Sequence, residues 1–221
     1  MSEKFTKVIY VYERENINNI KFNIMAYQHL LVQALKELER TTKDYLRKEQ
    51  IEAAGATITT CSAIAAASSV VSLIPGATVV ANAAWVAAIW GMYIKINKDL
   101  GISIKENALK SLASAVLTNI LATAGAYIAL FLAATAIGFI PGLNVLATPL
   151  SVILGYITVY ASGLLYIKLL TKLFKAHSSF EFSESAAKTL AKSVVAENNI
   201  SEILDEGRSA YRSDKKDGKI K

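Results

Sequence analysis

"IPGATVVA" at residues 74–81 and "IPGLNVLA" at residues 140–147 are two versions of one short pattern. Proline lacks an N–H donor and disfavours helix at the residue before it, while glycine accepts left-handed turn angles. The pattern therefore predicts two tight hairpin turns, at Pro75–Gly76 and at Pro141–Gly142. Each turn stands near the middle of a long run that has no charged residue.

The two uncharged runs cover residues 53–94 and 111–167. A helix that crosses a bilayer needs about 20 apolar residues, so each run has room for two. The runs and their turns predict an all-α fold with two hydrophobic helical hairpins, hence four transmembrane-like helices, flanked by amphipathic helices. The four helices are expected at 54–73, 77–96, 111–139 and 143–170.

Lysine and arginine surround both uncharged runs and are absent from both turns. Cytoplasmic loops of membrane proteins retain positive charge, so both termini are expected in the cytoplasm and both turns across the inner membrane of a bacterium. No secretory signal opens the sequence, so membrane entry would use internal segments. The predicted organisation is an amphipathic helical region (1–52), a membrane-embedded double hairpin (53–175), and a C-terminal region (176–221) of amphipathic helices with a disordered basic tail.

The sequence Tyr-Ile-Lys occurs at Tyr93–Lys95 and again at Tyr166–Lys168. The second hairpin would be a copy of the first, lengthened by about two helical turns. Chance similarity between apolar, alanine-rich helices explains the match equally well. In the membrane interpretation, Tyr93 and Tyr166 beside their lysines are interfacial anchors.

The first uncharged helix, "ATITTCSAIAAASSVVSL" at 56–73, is rich in Ala, Ser and Thr. Small residues let neighbouring helix backbones approach closely, and hydroxyls bond across helices or back to carbonyls. Three interpretations follow: an integral or hairpin-inserted membrane protein, a soluble bundle that hides a hydrophobic hairpin until it meets a membrane, and an ordinary buried core. The first is favoured because the uncharged runs are so long.

The flanks carry weaker patterns. Residues 5–12 favour a short strand or an extended lead-in. Residues 17–52 have the apolar spacing of one long amphipathic helix. Its apolar face packs on the protein's own cytoplasmic side or lies at the bilayer interface, which is the favoured interpretation, or it binds a partner or a second copy of the chain. Ser183 is expected to cap a helix, "ENNIS" at 197–201 to break it, and the tail from Tyr211 to be disordered.

Residues that carry chemistry are sparse. The polar amides Asn82 and Asn119 lie within the uncharged runs and would lock helix pairs or line a pore; Asn144 falls beside a turn. Cys61 has no cation nearby in the sequence and is expected to fill space. We predict no enzyme activity, no catalytic residue, no cofactor and no metal site. The net charge of +6 forms no basic stripe with interleaved aromatics, so no nucleic-acid partner is expected.

The stretch "LIPGATVVANAAWVAAIWGMYIKINKDLGISIKENA" resembles the first core of the YcjF-like domain-of-unknown-function family. Its proline-led turn, methionine, tyrosine and linker glycine correspond to Pro75, Met92, Tyr93 and Gly101. The later stretch "AIGFIPGLNVLATPLSVILGYITVYASGLLYI" resembles that family's second turn and helix. The positions that match there are Gly138, Pro141, Gly142 and Gly155.

This resemblance covers about residues 55–175 and implies a bacterial, inner-membrane-associated α-helical domain that often accompanies a small GTPase domain. The chain has no G-x-x-x-x-G-K-[ST] loop, so any GTPase would be a separate partner. The acidic residue that commonly follows the proline in the family is missing after Pro75, which leaves any role of that acid in doubt here.

Two functions compete. The leading one is a non-enzymatic membrane protein whose cytoplasmic flanks recruit a protein partner, with the bilayer as its other partner and with self-association as an option. The alternative is a pore-forming toxin or bacteriocin-like effector. A transporter built from repeats is disfavoured because no span is charged or broken.

Overall fold

The computed structural model describes residues 29–69, 78–125, 144–176 and 183–220, and gives the backbone alone for 78–84 and 144–150. Within these residues it contains α-helices and no strand, which confirms the all-α prediction. The strand expected at 5–12 lies outside them. The helices, in chain order, are α1 (His29–Thr42), α2 (Lys48–Ser68), α3 (Thr78–Leu100), α4 (Glu106–Thr123), α5 (Asn144–Lys175), α6 (Glu184–Ala196) and α7 (Ile200–Lys216).

The single amphipathic helix predicted for 17–52 is wrong, because a turn separates α1 from α2. The N–H groups of Tyr45 and Leu46 both donate to the Thr42 carbonyl, which closes α1. The Gln50 side chain then accepts from the Arg47 N–H at 2.9 Å and starts α2. The boundary predicted at residue 52 consequently falls inside a helix. Capping groups, rather than hydrophobic spacing, decide where these two helices end.

The apolar positions of α1 do pack on the protein itself, which is one of the predicted alternatives. Leu31, Leu35 and Leu38 are buried in the common core, against the central part of the bundle. Their three- and four-residue spacing places them on one helix face.

The cap predicted at Ser183 and the break predicted at 197–201 are both confirmed. The Ser183 hydroxyl accepts from the Ala186 N–H at 3.3 Å and starts α6. Asn199, inside the predicted break, accepts from the Glu202 N–H at 3.3 Å and starts α7. Side-chain oxygens at these positions satisfy N–H groups that the first helical turn leaves without partners.

The disordered tail predicted from Tyr211 is wrong. Helix α7 continues to Lys216, and Gly218 ends it with φ +73°, a left-handed conformation that glycine adopts without strain. The Lys219 N–H donates back to the Asp214 carbonyl at 2.9 Å, and Ile220 is buried. This segment is polar in composition, but the apolar residues on one face of its helix are enough to fold it.

Helix α5 is the centre of the bundle and contacts every other helix described here. Its residues 154–167 are all buried, on every side of the helix. A helix that is apolar all round has to be covered on all sides. The other helices supply that cover, and one continuous core includes residues from all seven helices.

The prediction of four transmembrane-like helices is wrong for the described residues. One segment, Ser151–Lys175, is long and apolar enough to cross a membrane by length and composition, with a mean hydropathy of 1.6. Its most apolar window is 83% buried inside the protein, and the core helix of a soluble protein passes the same test. The other helices of the uncharged runs are less hydrophobic, because they are rich in Ala, Ser and Thr or include charged residues.

The first predicted hairpin is present as neighbouring helices, because α2 and α3 pack together. The second is not formed as predicted over its described residues. Helix α4 packs mainly on α6 and α3, whereas α5 packs mainly on α2. Which helices pack together is therefore set by contacts across the bundle and not by their order in the sequence.

Candidate functional site: the uncharged end and the buried tyrosines

The described helix ends that border the two predicted turns all lie at the same end of the bundle. Along α2 and α5, Gly155 lies beside Ser69 and Gly163 lies beside Ile58, so these helices are antiparallel. Ser69, which directly follows α2, therefore lies beside Gly155, about three helical turns into α5 from Asn144.

Helices α3 and α4 complete this end. A five-residue linker that begins at Gly101 reverses the chain between them, and Lys110 near the start of α4 lies 5.8 Å from the Trp90 ring centre of α3. The start of α3 and the end of α4 therefore lie together. We call the end that carries Ser69, Thr78, Gly125 and Asn144 the uncharged end.

The predicted turn residues are Pro75, Gly76, Pro141 and Gly142, and they lie outside the described residues. What the structure does place is the pair of helix ends that flanks each of them. The chain segments that contain them therefore start from and return to helix ends at the uncharged end.

The two predicted intramembrane amides occupy different positions. Asn82 belongs to α3, of which only the backbone is described there. The Asn119 side chain donates to the Ala115 carbonyl at 2.7 Å, within its own helix. Asn144 is the first residue of α5.

The seam between α2 and α5 is tight because both helices present small residues. A Cβ on Gly155 would lie 2.1 Å from the Ser69 hydroxyl, and one on Gly163 would lie 2.8 Å from Ile58. The hydroxyls of Ser62 and Ser69 donate to carbonyls one turn earlier, at 2.7 Å each. The close approach and the back-bonding predicted for this helix are both confirmed.

Tyr93 and Tyr166 are not interfacial anchors, since both are fully buried. Their rings stack with centroids 4.0 Å apart, which brings the two Tyr-Ile-Lys copies together between α3 and α5. Tyr166 donates to the Asn97 side-chain oxygen at 2.6 Å, and Tyr93 donates to the Ser162 carbonyl at 3.1 Å. Because both tyrosine hydroxyls have buried hydrogen-bond partners, the two side chains are better accommodated in the core than at a bilayer interface.

Helix α7 is joined to α5 by two bonds between tyrosine and carboxylate. Tyr156 donates to Asp214 at 2.6 Å, and Tyr160 donates to Glu206 at 2.8 Å. The pairs run in opposite directions along the chain, so α7 is antiparallel to α5. A Cβ on Gly207 would lie 3.2 Å from the Ile157 side chain, so glycine at this position lets the helices approach.

Both carboxylates have a second partner. Asp214 pairs with Lys219 at 2.9 Å. Glu206 accepts from the Leu31 N–H at 2.9 Å and from the Leu30 N–H, and so caps the first turn of α1. A carboxylate suits this place because the helix dipole is positive there. Through Glu206, the position of α1 depends on α7.

The buried tyrosines are held in the phenol form. Burial raises the pKa of Tyr156 and Tyr160, and the Asp214 and Glu206 carboxylates raise them further. Burial also raises the pKa of Tyr93 and of Tyr166. At neutral pH all four are therefore hydrogen-bond donors.

The opposite, charged end is bound by ion pairs and polar contacts. Asp99 accepts from the Thr57 hydroxyl at 2.7 Å and pairs with Lys95 at 3.3 Å. Lys172 pairs with Glu197 at 2.6 Å, and this bond lowers the pKa of the Glu197 carboxyl. These groups join α2 to α3 and α5 to the chain after α6.

Large apolar side chains are almost absent from the described surface. Tyr45, 73% exposed in the turn between α1 and α2, is the one large apolar residue that it exposes. Where the uncharged runs are described, the exposed positions are small or hydroxyl residues. They are Ala67, Ser114, Thr118, Ala122, Thr123 and Gly125.

Metal-ligating side chains do not cluster in the described part of the chain. No set of three His, Cys, Asp or Glu side chains there could hold a metal ion. Cys61 is buried within α2.

The tyrosine and carboxylate pairs were not predicted. Tyr156 and Tyr160 stand four residues apart on one face of an uncharged helix, which signals two hydroxyls in need of buried partners. The partners, Glu206 and Asp214, are distant in the sequence and lie in a region of mixed charge. Only the fold brings them together.

Comparison of the chain with protein-family models, with curated proteins and with solved structures finds no match.

Proposed function

We propose that this is a non-enzymatic, membrane-associated helical protein that inserts its uncharged end into the cytoplasmic face of a bilayer and presents its charged end to a cytoplasmic protein partner. The observation that supports this most is the common location of the four helix ends that flank the two Pro-Gly segments. Insertion from one side requires no charged group to enter hydrocarbon.

The sequences that connect those helix ends supply the apolar material. They read "VVSLIPGA" at 70–77 and "AYIALFLAATAIGFIPGL" at 126–143, with no charge in either. Central Leu, Ile, Phe and Val each favour insertion by about 0.3–0.6 kcal/mol. Two such segments that start from one end of a bundle would reinforce each other's binding to the same bilayer.

Insertion of these segments is a better proposal than four spans. The apolar surface of α5 is covered by protein, so the helices of the bundle have little large apolar surface to offer to lipid. The resemblance to the YcjF-like family supports inner-membrane association and a separate GTPase as the partner. Exposed Tyr45, between Lys43 and Arg47 at the charged end, is a suitable contact for such a partner.

Vesicle flotation at neutral pH tests the membrane role. The wild-type chain should float with phosphatidylcholine vesicles, and Ile74→Glu/Ile140→Glu should not, since a central charge opposes insertion by roughly 2.5–3.5 kcal/mol. Tyr45→Glu, which puts a charge at the opposite end, is the matched control and should float like wild type. Failure of wild type to float, with circular dichroism showing a folded chain, would refute the proposal.

The pore-forming effector remains a second candidate because α5 is an apolar helix buried on all sides by other helices. Such a bundle could release α5 at a membrane. Dye leakage from the same vesicles separates the two functions. Flotation without leakage supports peripheral insertion, whereas leakage that Ile74→Glu/Ile140→Glu abolishes supports the pore.

A further inference from the structure

Four cations of the C-terminal segment lie close to the uncharged end. Asp214 of α7 bonds to Tyr156, which follows Gly155, and Gly155 lies beside Ser69 at the end of α2. Lys215, Lys216 and Lys219 are therefore close to the level of Ser69, where the first uncharged segment leaves the bundle, and about three helical turns from Asn144, where the second rejoins it. Arg212 is one turn below them.

The cations point outward, because α7 buries its other face. Its buried positions contact α5 and the core, whereas Arg212, Lys215, Lys216 and Lys219 are all exposed. The acids beside them do not balance this charge. Buried Asp214 bonds to Tyr156 and pairs with Lys219, and exposed Asp217 pairs with Lys219 at 3.9 Å. The surplus positive charge of this segment is therefore carried by Arg212, Lys215 and Lys216.

Their position is fixed by the fold. Gly218 turns the chain, Lys219 is tied to Asp214, and Ile220 is buried behind it. The cationic group is thus carried on an anchored helix at a defined height on the molecule.

We propose that Arg212, Lys215 and Lys216 form a headgroup-binding surface for anionic phospholipid. The proposal rests on the insertion of the uncharged end. When that end enters the hydrocarbon, these cations come level with the phosphate layer. The cytoplasmic leaflet is negatively charged, and each basic residue near it contributes about one kcal/mol at physiological salt.

The test compares flotation of the full chain with phosphatidylcholine vesicles and with vesicles that contain phosphatidylglycerol as well. The triple variant Arg212→Gln/Lys215→Gln/Lys216→Gln should bind the anionic vesicles roughly 100-fold more weakly than wild type and the neutral vesicles equally well. Lys36→Gln/Arg40→Gln/Lys43→Gln removes the same charge from exposed positions of α1 and the turn after it, toward the charged end. It should bind both vesicles like wild type.

The outcomes are distinct. If wild type binds neutral and anionic vesicles equally, the headgroup surface is refuted while insertion stands. An equal loss in both triple variants would also refute it, since net charge alone would then explain the binding. If wild type binds neither vesicle, both proposals fail. A selective loss in the α7 variant that high salt reproduces in wild type supports the surface.

Discussion

Helix α5 meets α2 and α7 through seams of opposite character. The α2 seam depends on shape, because Gly155 and Gly163 let the backbones approach, and no described group at these contacts ionises. The α7 seam depends on hydrogen bonds from Tyr156 and Tyr160 to carboxylates. The first should respond to added volume and the second to a change of charge.

This difference divides the bundle into a fixed part and a part that can be loosened. Removing a hydrogen bond between α5 and α7 leaves the α2 seam intact, so α7 and the α1 turn capped by Glu206 can move first. The basic surface proposed for lipid is carried by this second part.

Raising the pH should give the largest effect, because it acts on four buried tyrosines at once. Burial holds Tyr93, Tyr156, Tyr160 and Tyr166 in the phenol form when folded, whereas an unfolded chain ionises them above the ordinary pKa of about 10. Stability is therefore present below pH 10 and lost above it. Four phenols at about 1.4 kcal/mol each predict a loss of about 6 kcal/mol by pH 11.

Urea unfolding followed by circular dichroism at several pH values measures this loss. Tyr93→Phe removes one phenol and should reduce the alkaline loss by about a quarter. A free energy of unfolding that stays constant through pH 11 would contradict the tyrosine arrangement. Alkaline washing of membranes would unfold the bundle for the same reason, which is why flotation at neutral pH is the better membrane test.

Gly155→Ala should give the next largest effect and should act on the α2 seam alone. The new Cβ would overlap the Ser69 hydroxyl, and overpacking of this kind costs about 2–3 kcal/mol of unfolding free energy. Ser69→Ala in the same chain removes the overlapping oxygen and should restore part of the loss, while the Ala65 carbonyl at 3.1 Å limits the recovery. Equal stability of the single and double variants would show that this contact is not the cause.

Tyr160→Phe should give the smallest of the three effects and should act on the α7 seam. It removes a hydrogen bond to a carboxylate, at a cost of about 1.5 kcal/mol, while Glu206 keeps its bonds to α1. Hydrogen exchange of amides in α1 and α7 should accelerate more than exchange in α2. Lys48→Ala, which breaks an exposed pair with Glu52, is the control and should cost under about 0.5 kcal/mol. Uniform acceleration across all helices would contradict separable seams.

The sequence determined the secondary structure and the distribution of charge. The all-α class, the Ser183 cap, the break before α7 and the small-residue packing of α2 followed from local chemistry, and local chemistry is what a sequence states directly. The break between α1 and α2 and the helical tail were missed, because each depends on a few backbone and side-chain bonds at a terminus.

Only the tertiary structure decided what covers the apolar helices. A run such as 151–175 has the same hydropathy whether lipid or protein surrounds it, so composition cannot distinguish a span from a core helix. The same holds for Tyr93 and Tyr166, which suit a bilayer interface or a buried stack equally well by composition. The partners that settle their place, Asn97 and the Ser162 carbonyl, become neighbours only when α3 and α5 pack side by side.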